Sequence, residues 1–306
     1  KDFARGNIVE ILDASPHRVA PPCKFVSAGC GGCSWQHLAV AEHMPTKVAI
    51  VQEALRRTAK LSPDQVDELV KVGGQVSSQA SRTTLRMAVL PSGKLGFRRA
   101  ASNDLVETSP CLVAHDALNE LIASAKVKNA AEVTLRCGAS TSERGVWLHD
   151  EHGRGQITGL PSDVGVGIEA LVHEVVAGVR LRVMMTSFFQ SSHEAAELLV
   201  AAVRDAAGDR SLSGIDGRVI DAYGGVGLFA ATLLSADVPV TVVESSESSC
   251  RDAVVNLTQH LVQTRDTSEP SEIINSNVEQ WKPVEAGLVI ADPARTGLGP
   301  QAVSRL

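Results

Sequence analysis

Two sets of residues in this 306-residue chain have types and spacings that carry chemistry. One is a set of thiols: Cys23, Cys30 and Cys33 fall within eleven residues, and Gly31 and Gly32 separate the last two. The other is acidic. Asp221 precedes the turn Tyr223-Gly-Gly225-Val-Gly227, and Glu244, Asn277 and Asp292 follow it at the ends of strand-like runs.

A C-x2-C element with two glycines is a tight knuckle that turns both thiolates inward while its amides hydrogen-bond to sulfur. Three near cysteines and a distant fourth are a pattern that holds an iron–sulfur cluster. Four cysteines, or three and a histidine, equally suit zinc. Cys111, in Ser-Pro-Cys-Leu-Val, is the fourth ligand chosen here, and His37 is its zinc-type rival. With no secretory signal in view, a metal site is expected in preference to disulfides. Cys137 lies inside a strand-like run and reads as a small core residue.

The glycine turn suits a nucleotide-type cofactor, because glycine lets the backbone take positive φ and approach a ligand. Two cofactors compete. Gly225-Val-Gly227-Leu-Phe-Ala230 fits a dinucleotide fingerprint, with Glu244 about 20 residues on for a ribose hydroxyl. S-adenosyl-L-methionine sites also use a strand-end acid before the turn and another at the next strand end. Asp221 favours the methyl donor: a carboxylate facing the turn repels a pyrophosphate and suits an ammonium group. Asp292-Pro-Ala-Arg295 adds polar groups where a methyl acceptor would lie.

These residues need elements to position them. After Met185 the pattern alternates: strands at Arg218–Ala222, Val238–Glu244, Glu272–Asn275 and Gly287–Asp292, helices at Leu228–Ser235 and Glu247–His260. That rhythm predicts an α/β, doubly wound parallel sheet with ligand at the carboxyl ends of its strands. Ser191-Ser-His-Glu194 reads as a capping box for a helix to about Ala207, with Ala195, Leu198, Leu199 and Val203 on one face. Upstream, a helix is expected over His43–Ala59, with Val48, Val51, Ala54 and Leu55 at helical spacing. Thr84–Leu90 and Lys94–Phe97 form a hairpin turning at Pro91–Gly93. Further strands at Glu132–Cys137, Gly145–His149 and Arg180–Met185 make the middle of the chain β-rich. Short strands are expected at Asn7–Leu12 and Arg18–Ala20. The resulting segments are 1–20, 21–185 and 186–306.

Composition sets the bounds. The chain is 44% hydrophobic and 21% charged, ordinary for a soluble globular protein. No apolar run approaches the roughly 20 residues that span a membrane. A cytoplasmic monomer is expected. The net charge of −6 gives no global basic field. Between Ser81 and Asn103, however, Arg82, Arg86, Lys94, Arg98 and Arg99 occur without a carboxylate, either to contact phosphates or as a solvated hairpin face. The chain begins at Lys1 and stops at Leu306, just after Gly299-Pro300 opens a new helix, so both ends read as cut.

Taken in order, Cys23…Cys30-Gly-Gly-Cys33-x-Trp-Gln-His, Lys94-Leu-Gly-Phe-Arg98, Ser-Pro-Cys111, Ser187-Phe-Phe-Gln190, Asp221-Ala-Tyr-Gly-Gly-Val-Gly, Val243-Glu244 and Asp292-Pro-Ala-Arg295 resemble the RNA uracil-C5 methyltransferases, the iron–sulfur enzymes of 23S rRNA and tRNA. The resemblance spans nearly the whole chain. It implies a class I S-adenosylmethionine methyltransferase domain, preceded by a β-rich iron–sulfur domain and the end of an OB-like TRAM domain at 1–20. It implies a 4Fe-4S cluster on Cys23, Cys30, Cys33 and Cys111. It assigns donor contacts to Gln190, Tyr223, Glu244 and Asp292, with Asn277 near the adenine. Phe188 is implied to lie against a target base. There are departures. Six residues separate the first two cysteines where relatives have five, Gly224 stands for a frequent Cys, Ala294 for Pro, and Ser192 for Asn.

The chemistry implied is covalent. A thiolate adds to uracil C6, C5 takes the methyl group, and a base removes the C5 proton. The family places that cysteine and a glutamate after the Asp-Pro motif, so the nucleophile is expected beyond Leu306, and the chain as given is expected to bind donor without turnover. A non-catalytic RNA-binding iron–sulfur protein and a dinucleotide-dependent oxidoreductase are the alternative readings. Arg295, where amine methyltransferases carry Tyr or Phe, argues against base-amine methylation.

Overall fold

A computed structural model describes residue 6, residues 8–208, residue 215 and residues 217–306. It divides into two compact units, residues up to Gln75 with Phe97–Val106, and Val76–Gly96 with Glu107–Leu306. These do not coincide with the three segments read from the sequence.

In the first unit the cysteine segment contains a single helical turn, Lys24–Ser27, and the helix His43–Ala54 follows, continued by a wider π-type turn over Leu55–Ala59. No residue of His43–Ala54 is buried, so the helical spacing of Val48 and Val51 did not mark a core face. Of the expected strand at Asn7–Leu12, Asn7 lies outside the described residues and 8–12 form no strand. Arg18 contributes one isolated bridge, to Leu38.

An antiparallel framework comes next. Strands β1 (Thr84–Val89), β2 (Leu95–Arg98), β3 (Leu105–Glu107), β4 (Glu132–Cys137), β5 (Arg144–His149) and β6 (Gly165–Val166) form one sheet in the order β3-β2-β1-β4-β5-β6. The hairpin closes with Val89 opposite Leu95, as the Pro-Ser-Gly turn predicts. Period-2 alternation buries Leu85 and Met87 of β1 and Val133 and Leu135 of β4 on one face. The other face carries the rung Arg86–Thr134–Trp147. A hairpin of β7 (Leu171–Val176) and β8 (Val179–Met184) then leads to helix α1 (His193–Ala207). The cap of α1 sits one residue later than the capping box predicts: Ser192, not Ser191, accepts the Ala195 N–H, at 3.4 Å. Its core face shifts with it, to Ala196 and Val200, flanked by Leu199 and Val203.

Towards the C-terminus lie four more strands, β9 (Val219–Ala222), β10 (Val240–Glu244), β11 (Glu272–Asn275) and β12 (Leu288–Ala291). They form a four-stranded, all-parallel sheet in the order β11-β10-β9-β12. Helices α2 (Leu228–Leu233) and α3 (Glu247–Asn256) connect them, and the expected continuation of α3 to His260 breaks at Leu257 into a separate helix, Thr258–Gln263. Buried strands read as continuous apolar runs in such sheets. Val219, Val240 and Val242 accordingly pack with Phe229, Ala196 and Val200 in one core. The order of connection reverses between β9 and β12, which is where open α/β sheets bind ligands. No helix among the described residues is long and apolar enough to cross a membrane.

Candidate cofactor site

Asp221 lies in β9, directly beside that reversal, and is 1% exposed. Its Oδ2 accepts the Ala230 N–H at 3.2 Å, and its Oδ1 is buried with no hydrogen-bond partner among the described residues. Burial pushes its carboxyl up to about 7, and the charges of Asp292 and Glu244 push the same way. Burial also raises Asp292, at the end of β12. The carboxylates of Asp292 and Glu244, from the two neighbouring strands, therefore both act on Asp221, an arrangement that favours a cation.

The turn after Asp221 is built around its glycines. Tyr223 takes φ +60°, Gly225 +56° and Gly227 +83°. Around Gly225 an added Cβ would meet nothing within 4 Å, so the turn presents bare backbone to open space there. Gly224 is the reverse case: a Cβ there would stand 2.7 Å from Val242 Cγ1 and 3.1 Å from the Asp221 carboxyl carbon. Glycine at this position, the departure noted in the sequence, is what this packing requires. The Gly225 N–H donates to Glu244 Oε2 at 3.0 Å, so the acid of the next strand also closes the turn. Glu244 Oε1 accepts the Ser246 N–H at 2.6 Å. A carboxylate has about four acceptor positions, so capacity remains for hydroxyl donors.

Other expected contacts fall differently. The Tyr223 hydroxyl donates to Glu279 Oε1 at 3.0 Å; burial, and then that carboxylate, hold its pKa above the ordinary phenol value. Asn277 is exposed, and its carbonyl accepts the Gln280 and Trp281 N–H groups. Asn275, which sequence reading did not single out, is the side chain fixed at this strand end, donating to the Glu244 and Ser245 carbonyls at 3.1 and 3.0 Å. An Asn at a strand terminus was the available signal.

Gln190 is half-buried at the end of the Ser187–Gln190 segment. Phe189, 6% exposed, packs into the same core as Val226 of the glycine turn, whereas its neighbour Phe188 is 72% exposed. An aromatic side chain held out from an anchored backbone is suited to stacking.

The basic stretch is partly neutralised. Arg86 pairs with Glu132, Lys94 with Glu107, and Arg82 donates to the Ser191 hydroxyl. The carboxylates missing from 81–103 are thus supplied by neighbouring strands, and the Arg86 side chain stays 62% exposed within its ion pair. Arg98 and Arg99 are exposed and belong to the first unit.

The cysteines do not assemble as expected. Among the described residues no group of three or more Cys, His, Asp or Glu side chains is placed to hold a metal ion. Gly31 of the knuckle serves backbone packing: a Cβ there would lie 2.9 Å from the Arg98 carbonyl oxygen, which accepts the Gly31 N–H. Cys111 is buried, its N–H bound by Asn119 Oδ1 at 2.8 Å. Cys23, Cys30 and Cys33 belong to the first unit and Cys111 to the second. Cys137 is fully buried, its thiol pushed up to about 12, and burial raises that of Cys250, so neither is a nucleophile at neutral pH.

No family model matches the chain. It is 30% identical to an uncharacterized RNA methyltransferase of Streptomyces avermitilis, over 99% of this chain and 74% of that protein. A counterpart in Streptomyces coelicolor is also 30% identical, over 99% of this chain and 70% of the relative. Another from Corynebacterium efficiens shares 30% over 100% and 72%. Among solved structures, a Pyrococcus abyssi tRNA (uracil-54, C5)-methyltransferase in complex with S-adenosyl-L-homocysteine aligns over 97% of this chain and 75% of its own, with a TM-score of 0.63 and 21% identity. That likeness establishes a shared fold.

Proposed function

The chain belongs to the RNA methyltransferase family, and from that premise we propose that it methylates C5 of a uridine in RNA using S-adenosyl-L-methionine. The observation that carries the donor assignment is the buried Asp221 carboxylate, its Oδ1 unpartnered among the described residues, at the point where strand order reverses. A buried acid with a free acceptor suits an ammonium or sulfonium group and repels a pyrophosphate. The residues therefore fit the donor. Asp221 would hold its ammonium side, the open backbone at Gly225 would allow close approach, and Glu244 would accept from ribose hydroxyls. Gln190, Tyr223, Asn277 and Asp292 complete the contacts assigned to it. When bound, the donor supplies an electrophilic methyl group.

On the acceptor side, exposed Phe188 supports stacking against an unpaired base. Arg82, Arg98 and Arg99 are the proposed phosphate contacts. Uracil C5 needs activation at C6 by a nucleophile, and the burial of Cys137 and Cys250 excludes both from that part.

The test is calorimetry with S-adenosylhomocysteine and, separately, NAD. Saturable binding of the first, lost in Asp221→Ala, is expected. Tight NAD binding without S-adenosylhomocysteine binding would return the site to the oxidoreductase reading.

A further inference from the structure

The segment that carries Phe188 and Gln190 is tied to the glycine turn by a single helix. On α3, Asp252 and Asn256 are four residues apart and share a face. Asp252, fully buried, accepts the Met184 N–H and the Ser187 hydroxyl on the same oxygen, each at 2.7 Å. Asn256 accepts the Arg182 N–H at 2.7 Å and donates to the carbonyls of Arg182 and Val226, at 3.0 and 2.8 Å. Val226 lies within the glycine turn. The buried Arg136 of β4 donates to the Met184 carbonyl and, at 2.8 Å, to the Ser187 carbonyl.

Two buried charges bear on this one short segment, and burying them is costly: Arg136 and Asp252 Oδ2 are hydrogen-bonded, while Asp252 Oδ1 has no hydrogen bond among the described residues and lies 3.4 Å from Arg182 Nε. Packing alone would not need them. Every one of these contacts ends on the backbone or hydroxyl of 182–187, or on the turn.

We propose that Asp252 and Asn256 are positioning residues that clamp the segment Ser187–Gln190, which carries the base-facing Phe188 and the donor contact Gln190, to the glycine turn, with Arg136 as a second anchor. This rests on the functional reading above, in which Phe188 meets the base and the turn meets the donor. A reaction that transfers one carbon between two bound groups is sensitive to displacements of about 1 Å in their alignment. The clamp would fix that alignment without touching either ligand.

Ser187→Ala removes one hydroxyl and is the mild probe; Asp252→Asn is the stronger one. Three readouts on the full chain separate the possibilities: hydrogen exchange of the peptide covering 186–190, affinity for a fluorescent oligouridine RNA by anisotropy, and S-adenosylhomocysteine affinity by calorimetry. The expected result is exchange in that peptide raised about tenfold and RNA affinity reduced about tenfold, with a smaller loss of S-adenosylhomocysteine affinity through Gln190. Parent-like exchange and RNA affinity in folded Ser187→Ala and Asp252→Asn overturns the proposal. So does faster exchange with undiminished RNA binding, which makes the clamp a structural support only. If the parent binds S-adenosylhomocysteine but no RNA, the uridine reading fails, and the exchange data alone decide whether the clamp exists.

Discussion

Asp221 is the residue on which the donor assignment turns, and its ionisation gives a direct check. A cation is bound by the carboxylate, and the carboxyl is held near 7 by burial and by two acidic neighbours, Asp292 and Glu244. Below that value the acid is protonated and the attraction is lost. S-adenosylhomocysteine affinity should therefore rise as pH increases from 6 to 8, and calorimetry of Asp221→Asn should show weak binding without that slope. The same shift has an opposite consequence for the free protein. A carboxyl raised in the folded state favours folding while it stays protonated, so its contribution falls as pH rises from the ordinary aspartate range toward 7. Asp221→Asn is accordingly expected to gain unfolding resistance relative to the parent at pH 8 and little at pH 5, read from urea midpoints at both values.

The elements around the site explain why its glycines are not interchangeable. Gly225 faces open space, while Gly224 is closed in between β9 and β10. A side chain at Gly224 would force Val242, a fully buried core residue, out of its place. Overpacking of this kind typically costs about 1–3 kcal/mol. Gly224→Ala should lose stability in that range in urea unfolding, whereas Gly225→Ala should be felt through its positive φ and the approach of ligand. Parent-like stability of Gly224→Ala would show that the turn relaxes freely. The knuckle at Cys30–Cys33 teaches the complementary lesson at this scale. Its glycines looked like ligand-loop glycines, but Gly31 is there because the Arg98–Ala100 backbone passes against it. Spacing along the chain cannot distinguish a loop shaped for sulfur ligation from one shaped for a neighbouring strand.

At the scale of the molecule, the two units differ in how much they bury. Among the described residues of the first unit only Val66 and Val106 are buried hydrophobics, while the second contains every cluster of core residues described above. Ordering a residue costs about 1–2 kcal/mol of backbone entropy, which burial of apolar surface must offset. Brief trypsin treatment should therefore cut at Lys24, Lys47, Arg56 or Lys60 before any site within 107–208 or 217–306, as judged by mass spectrometry of the fragments. Simultaneous loss of both regions would contradict this.

The sequence alone determined the parallel α/β half closely. Apolar strand runs, strand-end acids and the glycine turn are local signals, and β9 to β12 appear within two residues of their expected bounds. It also marked the turn as a cofactor site and, through its motifs, the family. Three things were decided only by tertiary structure. The first is which acids face one another: Asp221 and Asp292 are far apart in sequence and meet because strand order reverses between β9 and β12. The second is charge: the basic stretch lacks carboxylates locally, yet Glu132 and Glu107 reach Arg86 and Lys94 from adjoining strands. The third is the clamp, since nothing in the spacing of Asp252, Asn256 and Arg136 points to residues 182–187. Local propensity and pattern are properties of contiguous residues, whereas buried hydrogen bonds and long-range charge pairs exist only after the chain has brought distant segments together.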